Sequence, residues 1–354
     1  MRPGPGALAD LLGGLAVCVE AIEVQRRAVP VGDYPGGARP SSVVRLSGQG
    51  HVGRGENVAF TEEEHARFAA GAPSLLAGGG SGGGAWRGRV DALIDGGARG
   101  YERAAVEAAL IDLALRQTGQ TLATLMDGAA RSLRVVLSFA ARPDPAAYVR
   151  QLRAADRGRQ APLGDDERPK TEGKPDAETE PHPGADIELK VDVDPGWDAA
   201  AATALAAEAG VAVLDFKGRG DARLAALLSS LFPLALFEDP PDGTTHPRRA
   251  RDASLPDAAA VEAALARGEA VNLKAPRMGG PLAVLRALEL VRRVPPAGAA
   301  FAYLGGMFEV DVGRTQARQL AALFCADGPN DLAPLQPALG ASRLAVRVDT
   351  PGFG

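Results

Sequence analysis

Asp215 and Glu238 stand at the ends of short apolar runs and Asp252 falls in a weaker candidate strand, and 23 and 14 residues separate the three. If those runs are neighbouring strands of one sheet, their ends stand about 5 Å apart. Carboxylates that close resist ionising together, and a divalent cation removes the conflict. Three monodentate carboxylate oxygens, waters and a substrate oxygen suit Mg²⁺. Lys274 closes the next run, one strand further round, where it could serve as a base. Lys190 and Asp192 close an earlier run, and Lys217 follows Asp215 by two positions. A rim of mutually satisfied salt bridges is the competing reading of the same spacing.

The elements that must position these residues are visible as alternating textures. VVLSF (135–139), IELKVD (187–192), VAVLDFK (211–217), LALFED (234–239), AVNLKA (270–275) and FAYLGG (301–306) are apolar runs separated by alanine-rich helical segments. Two weaker strands fit at Ala250–Ala253 and near Asp331–Leu332, making eight. Apolar strands alternating with helices indicate a parallel sheet covered on both faces, and eight of them indicate a (β/α)8 TIM-like barrel over 133–334. Chemistry in such a barrel sits at the C-terminal strand ends, where all the residues named above fall.

Residues 1–132 have a different texture. Val17–Arg26, Ser42–Leu46 and His51–Asn57 are predicted strands; Thr61–Ala70 and Tyr101–Leu125 are predicted helices. This predicts an α+β capping domain, with 335–354 packing back on it. GGGSGGG (78–84) is a flexible surface loop by composition. Residues 156–186 are rich in Pro and charge and nearly empty of large apolar side chains, which predicts a disordered insert in the barrel.

Bulk properties exclude several roles. A net charge of -5 gives no support for nucleic-acid binding, which usually shows as a basic patch. Asp10 interrupts the one candidate targeting stretch, Ala7–Val19, and no apolar run approaches the roughly 20 residues a membrane span needs. Cys18 and Cys325 lie far apart in apolar helical patterns and read as reduced thiols of a cytoplasmic protein.

Longer motifs add a resemblance. VEAALIDLALRQTGQTLATLMDG (106–128), FEDPP (237–241), VNLKAPRMGG (271–280) and LGGMFEVDVGRTQARQLAALF (304–324) occur in the order seen in the enolase superfamily. They are similar to the branch of mandelate racemase and muconate-lactonising enzymes. The resemblance implies that Asp215, Glu238 and Asp252 are metal ligands for one Mg²⁺ and that Lys274 is an acid/base on one face of the substrate. It further implies that Glu309 contacts substrate and that Gly32–Arg39, with Tyr34, is a cap loop over the site. A small carboxylate substrate and a homo-oligomeric assembly, with no nucleic-acid or membrane partner, belong to the same expectation.

Two departures stand out. The second strand of that branch ends Lys-x-Lys, where this chain has Lys190-Val191-Asp192; the third ends Asp-x-Asn, where it has Asp215-Phe216-Lys217. An alternative register would place Asp192 on the third strand, but the first keeps the count at eight. His51, His65, His182 and His246 all fall away from the seventh strand, which argues against a racemase with a His–Asp dyad. The implied reaction is abstraction of a proton α to a carboxylate through an ene-diolate, with Lys274, Lys190, Asp192 and Lys217 as the catalytic candidates. A dehydratase is the first reading and a racemase, epimerase or cycloisomerase the second. A barrel that has lost its chemistry is the rival.

Overall fold

A computed structural model describes residues 3–31, 37–75, 90, 100–128, 130–160, 187–294, 301–334 and 342–354. Tyr34, the 78–84 loop, and most of the 156–186 insert lie outside the described residues, as do 335–341 of the C-terminal segment.

The N-terminal sheet is an antiparallel meander of β1 (Ala21–Pro30), β2 (Ala38–Gly48) and β3 (His51–Asn57). Gln49 and Gly50 both take positive φ, 52° and 76°, the left-handed pair that a two-residue hairpin requires. β1 starts at Ala21 rather than at Val17, because the Gln117 side chain donates to the Cys18 carbonyl and accepts its N–H. The backbone there is tied to a helix and is unavailable for pairing. The apolar stretch from Ala7 forms part of a helix, Pro5–Gly14, which buries Leu8, Ala9 and Leu12.

The sheet packs on the helix Gly100–Thr118, whose buried face is mostly alanine and leucine. Contact is so close that a Cβ on Gly55 would lie 2.0 Å from the Ala105 carbonyl oxygen. The expected single helix to Leu125 stops at Thr118, since Gly119 is left-handed and Thr121 caps a new helix, Leu122–Met126.

The barrel then follows. β4 (Leu133–Arg134) pairs with the C-terminal β12 (Arg343–Leu344). β5 (Leu137–Phe139), β6 (Leu189–Asp192), β7 (Val211–Asp215), β8 (Leu236–Glu238), β9 (Arg249–Arg251), β10 (Ala270–Leu273) and β11 (Ala302–Leu304) form one parallel sheet in chain order. Parallel bridges from Val135 to Asn330 and from Gly305 to Asp331 close the circuit at its eighth position. Asp198, Asp221 and Asp257 each cap the helix that follows by accepting an N–H three residues on, which fixes where the connecting helices begin. Val213, Leu236, Ala250, Ala270 and Tyr303 fill the interior. No helix among the described residues is long and apolar enough to cross a membrane.

Cap and barrel are joined by buried polar bonds. Glu56 on β3 accepts the N–H groups of Val310, Asp311 and Gly313, at 2.8, 3.0 and 3.1 Å. Glu107 accepts the Leu282 N–H at 2.8 Å; within the cap, Asp112 accepts the Arg54 N–H at 2.8 Å and ties in the C-terminal segment through the Phe353 N–H at 2.7 Å. The sheet–helix contact yields a direct test. Gly55→Ala should destabilise the protein by about 1–3 kcal/mol in denaturant unfolding through overpacking. An unchanged midpoint would contradict this account of the contact.

Candidate active site

Strand register places the acids. Asp192 lies level with Asp215, and Asp215 level with Glu238, on the adjoining ends of β6, β7 and β8. Asp252 follows the end of β9. Its backbone N–H and that of Ala253 donate to the two carboxylate oxygens of Asp239, at 3.0 and 2.9 Å. Asp239 itself sits at φ 42°, a left-handed conformation at the turn after β8. Asp215, Glu238 and Asp252 each bring a carboxylate oxygen within 4.8 Å of the others, and all three are buried.

Cations surround this trio. Lys190 Nζ donates to Glu238, lies 3.0 Å from Asp215 and 3.4 Å from Asp331, and is 1% exposed. Lys217 adopts φ 53° and turns back so that its Nζ bonds Asp215; it lies 3.2 Å from Asp192 Oδ1 without hydrogen-bond alignment. Lys274 Nζ donates to Asp252 Oδ2 at 2.7 Å, while Arg277 donates to Asp252 Oδ1 and to its carbonyl. Gly305 makes room for Lys274, since a Cβ there would meet Lys274 Cε at 2.6 Å.

Burial and these charges set the protonation pattern. Burial would raise Asp215, but Lys190 and Lys217 hold it well below the usual carboxylate range. Asp252 is held down in the same way, by Lys274 and then Lys190 and Arg277. Burial would lower Lys190, but Asp215 and Glu238 hold it well above the ordinary range, so it stays charged. Glu238 goes the other way. Burial, reinforced by Asp215 and Asp252 and opposed by Lys190, pushes it up to about 8. Asp192 is also raised, by burial against the pull of Lys217.

Of the predicted residues that the structure describes, all but one converge. Lys190, Asp192, Lys217, Lys274 and the acidic trio share one rim. Glu309 is folded onto its own loop: both its oxygens accept the Met307 N–H, at 2.9 and 3.0 Å, and Arg314 lies 3.8 Å away. Four contributors escaped the sequence reading. Tyr303 is fully buried and donates its hydroxyl to Glu238 Oε2; Asn272 Nδ2 donates to the same oxygen at 3.2 Å. Arg277 and Asp331 complete the charge set. Tyr303 and Asn272 were readable only as interior positions of β11 and β10, because a strand pattern shows the facing of a side chain but not its partner across the barrel.

Comparison with known proteins bears on this arrangement. Family models match at both ends: Domain of unknown function (DUF8230), N-terminal domain, over residues 10–85, and its C-terminal domain over 167–336. No curated protein matches the sequence. Among solved structures, a member of the enolase superfamily from Enterococcus faecalis V583 superposes with a TM-score of 0.70 at 18% identity. The match covers 96% of this chain and 95% of that one. The chain has the enolase-superfamily fold. A mandelate racemase/muconate lactonizing protein from Herpetosiphon aurantiacus matches with a TM-score of 0.69 at 18% identity, covering 96% and 98% of the two chains. A dipeptide epimerase from Methylococcus capsulatus, complexed with Mg ion, gives 0.69 at 19% identity over 95% and 99%.

Within this enolase-superfamily barrel the donor set fits a divalent cation on its own chemistry. Glu238 is buried with a pKa of about 8, so the cluster is short of positive charge at just the oxygens that converge. Asn272 Oδ1, buried on the next strand but one, has no hydrogen-bond partner among the described residues. The hydroxyl of Tyr303 stays protonated, since burial and Glu238 hold its pKa well above the ordinary range, and it can only orient Glu238 by donating. Tyr303→Phe should therefore weaken divalent-cation binding about 10-fold or more while the protein stays folded. Unchanged affinity would show that the hydroxyl does not orient the ligand.

Proposed function

We propose that this chain is an enzyme that uses Mg²⁺ to abstract the proton α to the carboxylate of a small organic acid. The observation that carries this reading is the buried Asp215–Glu238–Asp252 trio with Lys274 bonded to its edge. Asp215, Glu238 and Asp252 would hold the ion, which supplies positive charge to the substrate carboxylate while the α-carbon loses its proton. Lys274 is the acid/base at the end of β10. As the neutral amine, having given its extra proton to solvent and left Asp252, it takes the α-proton and becomes the ammonium, with Arg277 still holding the other oxygen of Asp252.

Lys190 is enclosed among Asp215, Glu238 and Asp331, which suits it to hold charge rather than to move a proton. Lys217 differs. It is 39% exposed at the end of β7, three strands from Lys274 around a circuit of eight, with Asp192 beside it. It takes the second proton-transfer role, protonating the leaving group or the opposite face of the carbon, and Asp192 keeps its ammonium turned inward. Dehydration of a small hydroxy acid is the first reading of the outcome. Epimerisation is the second, favoured by the placement of Lys217 and Lys274 on well-separated strands.

The test is isotope exchange. Acid sugars, N-acyl amino acids and dipeptides are incubated with the protein and Mg²⁺ in D₂O, and deuterium at the α-carbon is read by mass spectrometry. One class should exchange, and Lys274→Ala should slow that exchange by about 10²–10⁴-fold. Equal exchange by wild type and variant would rule Lys274 out as the base. Exchange with no carboxylate would favour the non-catalytic barrel.

A further inference from the structure

The opposite end of the barrel holds a second concave surface, a cavity of about 580 Å³. That volume falls within the range of small-molecule sites. Its apolar lining includes Leu236, Leu288, Phe301 and Phe324, which come from the β8 and β11 ends of the barrel and from two outer helices. Leu236 stands two residues before Glu238 and Phe301 two before Tyr303, so the carboxylate cluster and this cavity lie at opposite ends of the same strands.

Its charged lining is one-sided. Arg131, Arg134, Arg248 and Arg292 line it, against one acid, Asp327. Asp327 is already neutralised: Arg131 lies 2.5 Å away and Arg343 3.4 Å away, and Arg131 first among causes holds its pKa below the ordinary range. Arg134 pairs with Glu188 and Arg292 with Glu289. Arg248 has no hydrogen bond or ion pair from its side chain among the described residues. Next to these cations Leu234 is 79% exposed, the largest exposure of any large apolar side chain described. An apolar hollow with an exposed leucine and an uncommitted guanidinium at its edge is complementary to a molecule with an apolar body and an anionic head.

We infer that the N-terminal mouth of the barrel is a binding site for a small amphiphilic anion, a carboxylate or phosphate carried on an apolar body. Arg248 binds the head, with Arg131 and Arg134 beside it, and Leu234, Phe301 and Phe324 cover the body. This site is separate from the carboxylate cluster and does not depend on the proposed proton chemistry.

Octanoate is the probe, titrated by calorimetry into the whole protein, with 1-octanol and inorganic phosphate as the apolar and anionic halves alone. Octanoate should bind one to one and more tightly than either half. Arg248→Glu should weaken it about tenfold or more, the loss expected of one charge-assisted bond. Because Arg248 is exposed, the thermal midpoint of that variant should match wild type. Octyl phosphate in place of octanoate shows which head the arginines prefer. Lys274→Ala should bind octanoate as wild type does, which distinguishes this site from the carboxylate-binding end of the barrel. No octanoate binding, equal binding of 1-octanol, equal binding by Arg248→Glu, or loss in Lys274→Ala would each overturn the inference.

Discussion

Three carboxylates crowded into one dry space are the constraint around which the rest of this molecule is arranged. Burial alone would protonate them, because a charge taken from water costs several kcal/mol unless it is paired. Here Lys190, Lys217, Lys274 and Arg277 keep Asp215 and Asp252 ionised, and Glu238 is left as the group for which the resident cations do not suffice. Lys190 arrives from within β6, and Lys217, Lys274 and Arg277 from the segments that directly follow β7 and β10. The site is therefore as rigid as the sheet that carries it, and its electrostatics follow from strand order.

That rigidity extends into the cap. Glu56 reaches from β3 to gather three N–H groups at the start of the helix Val312–Phe324, and fully buried Arg39 donates to the carbonyls of Ala59, Val58 and, at 3.3 Å, Met307. The segment gripped between them carries Phe308, left-handed at φ 62° and 41% exposed, and Glu309, turned back to accept the Met307 N–H. A helix start whose amides are satisfied by a carboxylate from another domain cannot shift without exposing buried donors and a buried charge. The loop after β11 is thus set by cap residues more than by its own sequence.

This explains what the sequence made readable and what it did not. Parallel strands buried on both faces must be apolar throughout, so β6, β7, β8, β10 and β11 stood out, and Asp215 and Glu238 at two of their ends could be placed on one rim with Asp252. β9 and the eighth position were weak signals for a physical reason: Arg249–Arg251 carries two arginines that reach Glu269, and Asn330–Asp331 joins the circuit by single bridges. The start of β1 was misplaced because Gln117 captures Cys18, a contact between residues 99 apart. Partners across the barrel were likewise hidden. Tyr303 reads as a core aromatic in a strand, and only the closed sheet brings its hydroxyl to Glu238. The altered residues at 192 and 217 were separate departures in the sequence; in the fold Asp192 ends β6 and Lys217 follows the end of the adjacent β7, with its Nζ 3.2 Å from Asp192 Oδ1.

The central claim is that Asp215, Glu238 and Asp252 together hold one divalent cation. Calorimetric titration of Mg²⁺ into chelator-treated protein, wild type and Glu238→Gln side by side, tests it most directly. The account predicts one ion bound per chain, with affinity lost by about 10²-fold or more when Glu238 can no longer carry charge, since a buried ligand left neutral forfeits a charge-assisted bond worth several kcal/mol. Equal Mg²⁺ affinity in the two proteins, or no binding to wild type, would contradict it.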